Sequence, residues 1–139
     1  MKSIFGRFIG LFCRKSKARR PTLAVIDDCW MIQSAVRNAV SDVYAVTALT
    51  VIPDDLSVLD AFDALVVDGS GIGNLTYSTG VDFLLDYAPR HPEKRFVHFT
   101  GYCERQNWDS LEKLGIPVVT KGGRSGEILE ALVQKGEMQ

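Results

Sequence analysis

A chain of 139 residues, 46% apolar and 24% charged, can build one hydrophobic core but not two. That composition excludes wholesale disorder, and no run of about 18 apolar residues exists to form a conventional spanning helix. Three scattered cysteines, Cys13, Cys29 and Cys103, exclude a disulfide framework and point to a reducing compartment. They also lack the paired spacing of a zinc site, and only His91 and His98 could help. The formal net charge of -1 conceals a division: residues 1–20 carry Lys2, Arg7, Arg14, Lys15, Lys17, Arg19 and Arg20 and no acid. The other nine basic residues face 17 acidic ones, so a basic extension (1–20) precedes an acidic domain (21–139).

From Pro21 onward the chain reads as alternating strands and helices. Thr22–Ile26 is a continuously apolar run ending in acids, as expected of a strand buried on both faces. A helix is predicted from about Trp30 to Val40, with Met31, Ala35 and Val36 on one face and Ile32, Ala39 and Val40 close by. Val43–Leu49 is β-branched and apolar, a second strand. Pro53-Asp-Asp-Leu reads as a helix start, proline in the first turn and acids at the positive end of the dipole. Ala64–Val67 is the third strand, ending at Asp68. A glycine-laced loop, Gly69 to Ser78, leads to Thr79-Gly-Val-Asp82, a capping-box pattern opening a helix with Val81, Leu84, Leu85 and Ala88 that stops before Pro89 and Pro92. Arg95–Phe99 is the fourth strand, ending at Thr100-Gly101. A helix from about Glu104 to Leu114 turns Trp108, Leu111 and Leu114 inward and is closed by Gly115. Pro117–Val119 is the fifth strand, ending at Thr120-Lys121. Ser125 can cap a last helix carrying Ile128, Leu129, Leu132 and Val133 toward the sheet. Five β-α units in this length imply one domain with a parallel sheet, helices on both faces and right-handed crossovers.

Reactive side chains fall where apolar runs end: Asp27 and Asp28, Asp68, Thr100, and Lys121. Parallel strands point their carboxyl ends one way, so these residues converge on the sheet edge where open α/β folds bind ligands. Three carboxylates held close together repel, and a hard divalent cation with oxygen ligands relieves this; magnesium, which needs few protein ligands, is the expected ion. A carboxylate beside such an ion can attack a phosphoryl group, with a lysine ammonium and a hydroxyl steadying the transferred oxygens.

At these residues the sequence resembles the receiver domain of bacterial-type response regulators, over roughly residues 22–135. The resemblance rests on Asp27-Asp28, Val66-Val67-Asp68, Phe99-Thr100-Gly101 and Val119-Thr120-Lys121. It implies a flavodoxin-like three-layer α/β fold with strand order 2-1-3-4-5, and Asp68 as phosphoacceptor for a histidine kinase or phosphotransfer protein. It implies Asp28 and Asp68 as Mg2+ ligands, Asp27 as an outer or water-mediated partner, and the Ser70 carbonyl as a further ligand. Thr100 and Lys121 would contact the phosphoryl group. Three departures bear on read-out: Gly122-Gly123 stands where relatives have proline after the lysine; Val118 replaces an aromatic; and the loop after Asp68 is longer and lacks Met-Pro.

Simpler readings stand beside these. Asp28 can merely cap the first helix, Lys121 can be a solvated lysine and Thr100 a satisfied strand-end hydroxyl. The glycines after Asp68 fail the G-x-G-x-x-G pattern at Asn74 and Thr76, and no P-loop lysine follows. His91 and His98 are expected to be structural or exposed, and Trp108 core. In the extension, Ile4, Phe5, Phe8, Ile9, Leu11 and Phe12 recur at helical spacing among cations, which suits an anionic membrane interface. A partner-binding helix, a nucleic-acid arm and docking on its own acidic domain are the other readings, and no nucleic-acid partner is expected. A secretory signal fits less well, since Arg7 interrupts the apolar segment. The expected function is a stand-alone, cytoplasmic phosphorylatable switch acting through protein partners, not a turnover enzyme. The alternatives are an unphosphorylated adaptor and, more weakly, a phosphohydrolase lacking the usual second aspartate where Ser70 stands.

Overall fold

Every strand of the sheet runs parallel, in the order β2-β1-β3-β4-β5. The structure is a computed structural model that describes residues 19–124 and 126–137. The apolar periodicity within residues 1–18 and the cap assigned to Ser125 lie outside the described residues. The strands are β1 (Thr22–Ile26), β2 (Ala45–Leu49), β3 (Ala64–Val67), β4 (Arg95–Thr100) and β5 (Val118–Thr120). The helices are α1 (Trp30–Val40), α2 (Gly80–Tyr87), α3 (Arg105–Lys113) and α4 (Glu127–Glu137).

Alternation along each buried strand divides the core into two layers. Leu23, Val25, Ala64, Val66, Val97, Phe99 and Val119 meet Val36 and Val40 of α1 and Ile128 and Leu132 of α4. Ala24, Ile26, Leu65, Val67 and Phe96 meet Phe83, Leu84 and Tyr87 of α2 and Leu111 of α3. The register Ile26↔Val67, Val67↔His98 and Thr100↔Thr120 brings the strand ends level, which places the polar residues that follow them on one edge.

Half of the predicted capping box is present: Thr79 Oγ1 accepts from the Asp82 N–H at 3.1 Å, while the Asp82 carboxylate accepts from the Ser78 hydroxyl at 2.9 Å. Three expectations are corrected. The helix expected from Pro53 is a 3₁₀ segment, Leu56–Ala61, capped by Asp55, whose side chain accepts from the Ser57 N–H. Leu56, Leu59 and Phe62, spaced by three, are its apolar contacts with the core, and that spacing matches a three-residue turn rather than an α-helix. The buried Lys94 ammonium donates to the Phe62 carbonyl and to the Leu59 carbonyl, which also accepts the Phe62 N–H. In α1, Met31 and Ala35 are exposed, because the stripe facing the sheet is Ile32, Val36, Ala39 and Val40. Leu114 and Val133 are also exposed, and Trp108 is half-buried.

Candidate functional site

Ladder hydrogen bonds run one residue past the strands and fix the site from beneath. The Asp27 N–H donates to Leu49 O (3.0 Å), the Asp68 N–H to Ile26 O (3.0 Å) and the Lys121 N–H to Thr100 O (2.9 Å). Carboxylate oxygens of Asp27, Asp28 and Asp68 consequently lie within 4.8 Å of one another. Asp27 and Asp68 are buried and Asp28 is exposed. The Lys121 ammonium bridges the two buried acids, 2.9 Å from Asp27 Oδ2 and 3.0 Å from Asp68 Oδ1. Burial pushes the Lys121 pKa down, but its hydrogen bonds to Asp27 and Asp68 outweigh that, and the net direction is upward. The Gly69 N–H also donates to Asp68 Oδ1, at 2.7 Å.

Asp28 does not cap α1. The N-cap is Cys29, with no side-chain cap, and Asp27 Oδ1 accepts the Cys29 N–H at 2.9 Å. Among the described residues, neither Asp28 nor Asp68 Oδ2 accepts a hydrogen bond, so both present free lone pairs. An all-oxygen set with unsatisfied acceptors fits a hard divalent cation.

Two glycines, Gly71 in the glycine-laced loop and Gly80 beside the Thr79 cap, control where these carboxylates lie. Gly71 has φ +81°, and a β-carbon there would overlap the Asp28 carboxylate. Gly80, the first residue of α2, donates its N–H to Gly69 O at 3.0 Å, and a β-carbon there would overlap the Asp68 carbonyl oxygen. The long loop between them is stapled rather than loose. Ile72 is buried with its carbonyl accepting the Ile52 N–H (2.8 Å), and Asn74 Oδ1 accepts from Thr76 and Tyr77 while its amide donates to Pro53 O. The only sequence signals were the glycine-rich composition and the T-G pair at the cap; neither says which atom the glycine touches.

Thr100, buried, donates its hydroxyl to Tyr102 O at 2.9 Å, so its proton points into its own loop rather than at Asp68. Ser70 is exposed and, with Gly69 and Thr100, lines a cavity of about 160 Å3. His98 is structural, one of the two alternatives expected: it is 1% exposed and its Nδ1 donates to Val67 O at 3.1 Å. Burial pushes its pKa down, against the opposing pull of the Val67 carbonyl and the Asp68 charge. Stability gained by keeping His98 neutral is therefore full above pH ~6.5 and is lost as pH falls through its lower folded value, with a slope of at most about 1.4 kcal/mol per pH unit. Urea unfolding at a series of pH values should show this slope, flattened in His98→Phe.

No protein-family model matches the chain, and no curated protein does. Solved structures do. A CheY-like response regulator receiver domain protein from Methanospirillum hungatei JF-1 aligns with TM-score 0.70 and 16% identity, over 86% of this chain and 96% of that one. The isolated receiver domain of RcsB from Salmonella enterica serovar Typhimurium, determined with the phosphomimetic BeF3-, aligns with TM-score 0.69 and 20% identity over 85% and 91%. A response regulator from Thermotoga maritima aligns with TM-score 0.65 and 20% identity over 84% and 97%. The chain thus has the flavodoxin-like fold of CheY-like receiver domains.

Proposed function

We propose that this chain is a phosphorylatable switch in which Asp68 accepts a phosphoryl group from a phosphohistidine of a kinase or phosphotransfer protein. The observation that carries this reading is the meeting of Asp68 with Asp27, Asp28 and the Lys121 ammonium on one sheet edge. The free Asp68 Oδ2 attacks phosphorus as the phosphorus–nitrogen bond breaks, and the imidazole leaves with the bonding pair. Lys121, already on Oδ1, neutralises charge on the transferred group, and the Thr100 hydroxyl exchanges Tyr102 O for a phosphoryl oxygen. Asp28 and Asp68, with Asp27 behind them and the Ser70 carbonyl beside them, would hold Mg2+. When bound, the ion supplies further charge neutralisation at the phosphoryl oxygens.

Incubation with acetyl phosphate and Mg2+ tests the assignment. Wild type should gain close to one acid-labile phosphate per chain and Asp68→Asn none; equal labelling, or none in either, removes the phosphoacceptor role. Gly71→Ala, which forces positive φ on a side chain and crowds Asp28, should cost about 1–2 kcal/mol of stability and weaken Mg2+ binding in calorimetry.

A second reading, an adaptor that binds partners without phosphorylation, draws support from the exposed apolar side chains that follow strand ends on this edge: Trp30, Met31, Leu75 and Tyr102. Partner binding unchanged in Asp68→Asn, with no measurable Mg2+ affinity, would favour it. No helix among the described residues is long and apolar enough to cross a membrane. The basic extension, residues 1–20, is proposed to hold the protein at an anionic membrane surface on the cytoplasmic side, and liposome flotation with and without it is the check.

A further inference from the structure

The basic extension joins the sheet beside the most acidic part of the chain. Residues 38–89, which supply β2, β3 and α2, hold eight aspartates and no lysine or arginine, whereas residues 1–20 hold seven cations and no acid. The point of entry is fixed by hydrogen bonds. Arg20 donates to Ser41 O, and Pro21 O accepts the Ala45 N–H at 2.9 Å. The Thr22 hydroxyl donates at 2.7 Å to the carbonyl of Ala61, the last residue of the 3₁₀ segment. The wall beside that point is thinly covered. All four residues of β3 are buried and none of β2 is, because β2 is an edge strand and the 3₁₀ segment next to it is short. Val51, Val58 and Leu75 are exposed there, Leu75 to 95%. Acids stand among them: the Leu75 N–H donates to Asp54 Oδ1 at 3.4 Å, the Val58 N–H donates to Asp55 O, and Asp60 is exposed. Lys94, beside this segment, is buried and turns its ammonium to backbone carbonyls.

We infer that this face is the docking site of the chain's own extension, with Phe5, Phe8 and Phe12 against Val51, Val58 and Leu75, and its cations against Asp54, Asp55 and Asp60. Charge decides the occupant. A face of acids repels an anionic membrane and a second copy of itself, and it attracts a cationic apolar segment. That segment is tethered at Thr22, so its effective concentration at the face is of millimolar order. The three phenylalanines, three and four residues apart, fall on one side of a helix. A helical Ile4–Phe12 would be about 14 Å long, against about 12 Å for the six-residue 3₁₀ segment, and would run antiparallel to it from Ala61 toward Leu75. Docking uses the apolar residues and cations that a lipid surface would take, so the two states exclude each other; only that consequence rests on the membrane reading above.

The full-length chain without lipid is the test object, with a nitroxide on Ser3→Cys and Cys13, Cys29 and Cys103 replaced by serine. Amide signals of Val51 and Leu75, at the opposite end of the sheet from the Thr22 anchor, should broaden more than those of α3 and α4. Phe5→Ser with Phe8→Ser leaves the domain's core untouched and should weaken docking at least about tenfold. Asp54→Asn with Asp60→Asn should weaken it about threefold, the worth of exposed ion pairs. Uniform broadening over every face, or broadening unchanged in both variants, overturns the docking. So does broadening of an isotope-labelled chain by a separate spin-labelled one, since the extension then docks on a second copy. Flotation on anionic vesicles is read separately: its loss with docking intact removes only the membrane reading, and its persistence with docking absent removes only the docking.

Discussion

Lys121→Ala is expected to destabilise the protein by about 3–5 kcal/mol and to slow phosphate incorporation at least a hundredfold. The ammonium lies 2.9 Å from Asp27 and 3.0 Å from Asp68, both buried, and its removal leaves two uncompensated carboxylates at low dielectric. Breaking a buried ion pair by deleting one partner costs far more than the intact pair contributes. The lysine side chain is 22% exposed, so water can partly replace it, which places the loss nearer the lower end of that range. The kinetic loss follows because the same ammonium is the cation proposed to meet the transferred phosphoryl oxygens. Because the folded pKa of Lys121 is raised, its contribution is complete below the ordinary lysine value near 10.4 and disappears as pH climbs through the higher folded value. Urea midpoints from pH 7 to 11 should converge between wild type and variant. Added Mg2+ should restore more stability to Lys121→Ala than to wild type, since a divalent ion would neutralise the same acids; removing it with EDTA should reverse the gain.

Gly80→Ala should be the other damaging change, although it adds one methyl group. The new β-carbon cannot coexist with the Asp68 carbonyl oxygen, and Asp68 C (2.9 Å) and Val67 Cγ1 (3.1 Å) crowd the same space. Either α2 lifts, breaking the Gly80 N–H to Gly69 O bond, or the end of β3 moves. Overpacking of this kind costs about 1–3 kcal/mol, and Gly80→Val, branched at the contact, should reach the top of that range. A shift of even about 1 Å at Asp68 misaligns the attacking oxygen, so labelling by acetyl phosphate should fall roughly a hundredfold while the fold persists by circular dichroism. Normal labelling with normal stability would show that α2 does not position the acid.

Much of the architecture was legible because it rests on local pattern. Buried parallel strands must be apolar on both faces, so Thr22–Ile26 and Ala64–Val67 announced themselves as runs rather than alternations. The Thr79 cap was visible because its bond spans three residues. Proline and acids mark a helix start of either kind, so the start at Pro53 does not separate a 3₁₀ segment from an α-helix; the three-residue spacing of Leu56, Leu59 and Phe62 does. Met31 and Ala35 share a helical face with the buried Val36 yet are exposed, because periodicity alone does not settle which edge of an apolar stripe meets the sheet.

Sequence by itself determined the order of strands and helices, the parallel sheet and the gathering of Asp27, Asp28, Asp68, Thr100 and Lys121 at one edge, since each follows from where an apolar run stops. Tertiary structure alone decided that Lys121 bridges Asp27 and Asp68, that the Thr100 proton is turned toward Tyr102, and that Gly80 presses on the Asp68 carbonyl. The reason is range. A pattern of hydropathy constrains neighbours a few residues apart, whereas the Lys121–Asp68 contact joins positions 53 residues apart, and its geometry exists only once the sheet has set the spacing between strands.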